Sequence, residues 1–162
     1  MHKLYLVLLC VLIFASQGFC GEEKQTPFFL AMSVENIKTM AAWYEEHLDF
    51  EIFERNDLPE RGIYVTFLRH GDFIIEMGQR GDSFFVADKV DFKKKSQVRG
   101  FFKFGFKVSN IDGKVAELQK KGVTFYGSVF DDQRLGLRTA IIKDPEGNMI
   151  QLFQPLDQTK KE

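Results

Sequence analysis

Hydrophobic and polar positions along the chain follow one order, and they follow it twice. Phe28 to Val34 is a short apolar run that reads as a strand, and Asn36 stands where a helix N-cap belongs. Ile37, Met40, Ala41, Tyr44 and Leu48 then fall at helical spacing and make one apolar stripe. Phe50 to Glu54 opens a second strand. Ile63 to Leu68 and Phe73 to Met77, joined through His70, Gly71 and Asp72, read as a hairpin.

The second half repeats this order. Phe102 to Val108 predicts a strand, Asn110 a cap, and Ile111, Val115 and Leu118 a shorter helix that Gly122 ends in a left-handed conformation. Val123 to Val129, Leu137 to Ile142 and Met149 to Phe153 predict three further strands, the last two joined by the turn from Asp144 to Asn148. The wording repeats as well: AMSVENI at 31 to 37 returns as GFKVSNI at 105 to 111, with Val34, Asn36 and Ile37 matched at an offset of 74 residues. A duplicated unit of strand, helix and three strands follows, with a place between its halves for a ligand.

The first twenty residues stand outside this pattern. Lys3 precedes an apolar run from Leu4 to Ala15, too short to span a bilayer and suited to the core of a secretory signal peptide. Export to a periplasm or the medium is the expectation, with cleavage before Phe19 or before Gly21. An uncleaved anchor and lipidation at Cys20 are the alternatives. Cys10 lies in the signal, so the mature chain keeps one cysteine at most and no disulfide holds the fold.

Without Lys3 the mature chain carries 21 basic against 23 acidic residues, a balance that favours neither nucleic acid nor an anionic membrane. The basic stretch from Lys89 to Lys103 reads as a solvated connection. His2, His47 and His70 lie too far apart in the pattern to form a cluster, and His47 and His70 are expected to be solvated. There is no phosphate loop, paired-cysteine motif or nucleophile elbow. Arg80 to Ser83 spells a tetrapeptide known from adhesion ligands, which common turn residues produce by chance.

Two βαβββ units, a Val-x-Asn-Ile approach to each helix and the closing sequence DPEGNMIQLFQP together resemble the vicinal oxygen chelate superfamily of glyoxalases, bleomycin-resistance proteins and extradiol dioxygenases. The resemblance covers 28 to 155 and implies an α+β fold, two βαβββ units forming a cupped mixed sheet with helices outside. Residues 28 to 78 make the first unit, 79 to 101 the linker and 102 to 155 the second unit. Residues 21 to 27 form a flexible segment and 156 to 162 a polar tail.

The resemblance also places the family's four metal-ligand positions, here Phe29, Glu76, Lys103 and Gln151. Phenylalanine offers no lone pair and a protonated lysine repels a cation, so no metal and no cofactor is expected. Strand alternation then names the cavity lining: Phe29, Ala31, Ser33, Ile74, Glu76, Lys103, Gly105, Lys107, Met149, Gln151 and Phe153. If the resemblance holds in placing Lys103 opposite Glu76, the two are expected to pair where the metal would be. The function so implied is metal-independent binding of a small organic molecule. One alternative is an isomerase or lyase in which Glu76 moves a proton and Lys103 stabilises an oxyanion. Another is a dimerising scaffold, a homodimer being the one protein partner left open.

Overall fold

The computed structural model describes residues 28–89, 91 and 99–156. The predicted signal, the segment 21 to 27, much of the linker and most of the polar tail lie outside the described residues. In chain order the elements are β1 (Phe29–Val34), α1 (Ile37–Leu48), β2 (Glu51–Arg55), β3 (Ile63–His70), β4 (Phe73–Arg80), β5 (Lys103–Lys107), α2 (Ile111–Lys120), β6 (Thr124–Phe125), β7 (Phe130–Asp132), β8 (Leu137–Lys143) and β9 (Met149–Pro155). Short 3-10 turns occupy Pro59–Arg61 and Val86–Asp88.

Each unit builds its own mixed sheet. The first has the order β1-β4-β3-β2, the second β5-β9-β8-β6 with β7 also on β8. In both, the first strand runs parallel to the last, β1 beside β4 and β5 beside β9, because the intervening helix carries the chain back across one face. No described strand pairs across the two units.

Both helices start as the sequence predicts. Asn36 Oδ1 accepts from Thr39 N at 3.0 Å and Asn110 Oδ1 from Gly113 N at 3.0 Å, each satisfying an otherwise unpaired first-turn donor. The predicted stripe of α1 is buried in full, and Ile111, Val115 and Leu118 bury the matching face of α2. These residues join Leu68, Ile75, Met77, Ala140, Ile142, Ile150 and Leu152 in one core shared by the two units.

Two elements depart from the sequence reading. Val123 to Val129 is not one strand: only Thr124–Phe125 pairs, as β6, Gly127 turns the backbone to a φ of 81°, and β7 begins beyond the segment at Phe130. His47 is not solvated. It lies 6% exposed with its ring 5.0 Å from that of Trp43, because the apolar face of α1 is one residue wider at its last turn than the stripe alone shows. Burial lowers the His47 pKa, and its Nδ1 has no hydrogen-bond partner.

A candidate binding hollow on the first sheet

Contacts between the units run through their helix-bearing sides. Tyr44 on α1 donates to Asp144 Oδ2 at 3.2 Å, and Glu146 Oε1 accepts from the backbone N–H groups of Glu35 and Asn36 at 2.9 and 3.1 Å. The turn between β8 and β9 thus grips the start of the other unit's helix. Asp144 is held in place by Glu146 N and Asn148 N at 3.0 and 2.8 Å. Burial raises the pKa of both carboxyls and, with Asp144 beside it, pushes the Tyr44 phenol well up.

The opposite face of each sheet is left open. On the first, Ala31 is the register partner of Glu76, and Ser33 of Gly78; across β4, Phe67 partners Glu76 and Val65 partners Gly78. Ala31 and Gly78 project so little that the face sinks into a hollow of about 350 Å³, walled by Ile63, Val65 and Ser33, with Glu76 on its floor. Glu76 is half-buried and has neither a hydrogen bond nor an ion pair among the described residues. A carboxylate on an apolar floor, with its lone pairs unclaimed, suits a ligand that brings a donor.

The second sheet closes the same positions. Gly105 is the partner of Gln151, but here a Cβ on the glycine would lie 2.6 Å from the Gln151 carbonyl oxygen, so the strands approach where a side chain cannot fit. Gln151 Nε2 donates to Thr139 Oγ1 at 2.7 Å, and Thr139 in turn donates to the Leu152 carbonyl at 2.9 Å. Gln151 is thereby fixed with its amide oxygen as the remaining acceptor. Thr139 escaped the sequence reading, although its spacing two residues from Ile141 puts it on that face.

The predicted single cavity is therefore divided. Phe29, Ala31, Ser33, Ile74 and Glu76 share the open face of the first sheet, while Lys103, Gly105, Lys107, Gln151 and Phe153 share that of the second. Among the described residues Glu76 and Lys103 form no ion pair, because each projects from its sheet on the side away from the shared core. Met149, expected in the lining, is 4% exposed and covered. Arg138 makes a surface pair, to Asp112 and Asp131 at 2.9 and 2.7 Å. In the adhesion-like tetrapeptide, Arg80 and Asp82 bond to each other at 3.0 and 3.1 Å.

This arrangement of strands and helices identifies the class. The chain belongs to the Glyoxalase/Bleomycin resistance protein/Dioxygenase superfamily, whose family model matches residues 28–152. A glyoxalase family protein from Enterococcus faecalis superposes with a TM-score of 0.65 at 22% identity, over 81% of this chain and 98% of that one. Glyoxalase I of Leishmania major, described as trypanothione-dependent, gives 0.60 at 18% identity over 81% and 87%. TioX from Micromonospora sp. ML1 gives 0.59 at 16% over 82% and 100%. Likeness at these identities shows the fold. No curated protein matches the chain.

Proposed function

We propose that this chain is an exported binding protein that holds a small organic molecule in the hollow around Glu76, without a metal. The observation that carries the reading is the unclaimed Glu76 carboxylate on the floor of a mainly apolar hollow of about 350 Å³. That volume lies in the range of small-molecule sites. The ligand class is one with an apolar body and at least one hydroxyl, amide or amine donor for the carboxylate.

The metal-independent part rests on donor chemistry. Of the four family ligand positions, Phe29 supplies no donor, Lys103 supplies a positive charge, and only Glu76 and the Gln151 amide oxygen remain, on different sheets. Among the described residues no three His, Cys, Asp or Glu side chains gather closely enough for an ion. The residues present do not fit a divalent metal, and no step of the reading passes through one.

Export rests on the apolar run from Leu4 to Ala15. Amino-terminal sequencing of the mature protein tests it, with a start at Phe19 or Gly21 expected and a start at Met1 against it. Self-association into a homodimer is supported by Phe28 and Phe101, 63% and 71% exposed beside the edge strands β1 and β5. Light scattering would read about twice the chain mass.

Native mass spectrometry of protein purified without denaturation tests the central reading. One additional small mass per chain, lost in Glu76→Gln at unchanged thermal midpoint, is the expected result. A bound mass retained in full by Glu76→Gln would place the ligand elsewhere.

A further inference from the structure

A second pocket, of about 190 Å³, adjoins the hollow and shares Ser33 with it. One wall is Glu35, at the turn between β1 and α1; the other is Phe84, Phe85 and Asp88, which follow β4. Its chemistry is one-sided. Glu35 and Asp88 both bring carboxylates, and neither side chain has an ion-pair partner among the described residues. Phe84 and Phe85 are 63% and 39% exposed, unusual for adjacent large aromatic residues on a short turn. Arg80, the basic residue that precedes them, has its guanidinium bonded to Asp82.

We infer that this pocket binds a small organic cation of the alkylammonium class, its charge held between the Glu35 and Asp88 carboxylates and its alkyl groups against the rings of Phe84 and Phe85. Aromatic faces carry negative potential and attract a cation with a greasy surface, while the carboxylates supply attraction at longer range. The Lys89 ammonium, which is not part of the pocket lining, lies 5.4 Å from the Phe84 centroid, so this ring already takes one cation from the chain itself. Carboxylates alone on a surface would be a solvated edge. Here Glu35 stands across a concave space from two rings, with Asp88 on the rings' own wall, and that combination selects positive charge over negative and alkylated ammonium over bare ions. The inference does not depend on the hollow being a site.

Titration of the full mature protein with choline, followed by calorimetry or amide chemical shifts, tests this against 3,3-dimethylbutan-1-ol, which has the same shape with carbon in place of the charged nitrogen. Choline is expected to bind about tenfold or more tightly than the uncharged probe, the scale of a cation over aromatic faces. Glu35→Gln, Asp88→Asn and Phe84→Ala should each weaken choline severalfold; all three side chains are exposed, so folding is retained. Glu76→Gln, which changes a side chain of the hollow that does not line this pocket, should leave choline binding unchanged. Equal binding of the two probes, no choline binding, or loss of choline binding in Glu76→Gln would overturn the inference.

Discussion

The two units of this chain keep the same skeleton and treat the same face in opposite ways. In the first, Gly78 and Ala31 leave space beside Glu76, and a Cβ on Gly78 would meet nothing nearer than the Met32 carbonyl at 4.0 Å. In the second, Gly105 closes space, its absent side chain letting β5 lie against Gln151. What did not diverge is the scaffold. Gln79 Oε1 accepts from Ile37 N at 2.9 Å and Gln154 Oε1 from Ile111 N at 2.8 Å, so the last strand of each unit caps the helix of the same unit. The two units share what holds each helix to its sheet and differ in the open face.

The sharpest test of that contrast is a pair of identical substitutions. Gly105→Ala should cost about 3 kcal/mol, because a methyl group cannot share space with a backbone oxygen and the strands must part. Gly78→Ala should be neutral or stabilising by up to ~1 kcal/mol, through the lower entropy of the unfolded chain. Urea titrations of both variants measure the difference, and equal costs would erase the distinction between an opening and a closing glycine.

Next in size is the asymmetric grip of the second unit on the first. Glu146→Ala strands two backbone donors at the start of α1 and should cost about 2 kcal/mol. Glu146→Gln keeps the accepting oxygen and replaces Oε2, which is buried without a partner, so it should cost far less. A glutamine variant as unstable as the alanine variant would mean that the charge, not the acceptor, matters there. Smaller again are the duplicated caps: Gln79→Ala and Gln154→Ala should each cost about 1 kcal/mol, and by similar amounts, since the two bonds are alike.

The smallest effect is on pH dependence. Asp144 and Glu146 are both raised by burial, so the folded chain holds protons that the unfolded chain has released. Their contribution to stability is full below the ordinary carboxylate range and is lost as pH rises through the raised values. Stability measured upward from that range should therefore decline, and the decline should be shallower in Glu146→Gln. A rise over the same window, specific to wild type, would contradict the sign.

How legible all this was in the sequence depended on distance along the chain. The stripe of α1 and the two asparagine caps rest on neighbours within a few residues, and Asn36, Met40 and Tyr44 stand where spacing put them. Gln79, Gln154 and Glu146 act across 42, 43 and 110 residues or more, and a polar side chain in a strand carries no local mark of such a partner. The face of Glu76 was legible from strand alternation, and so was that of Lys103. That they belong to separate open faces was not, because alternation fixes which side of its own sheet a residue takes and says nothing of how two sheets are set. The hollow itself needed the register, which brings Ala31 beside Glu76 and Ser33 beside Gly78.

We propose that the first sheet's open face is a site because of the space beside Glu76. Gly78→Val fills that space from a position where an added Cβ has nothing nearer than the Met32 carbonyl at 4.0 Å, so it separates occupancy from folding. Native mass spectrometry and thermal melting of wild type and Gly78→Val, purified side by side, give the answer. The wild-type chain should carry a bound small molecule, and the variant, with the same midpoint, should carry none. Full occupancy in the variant would contradict it.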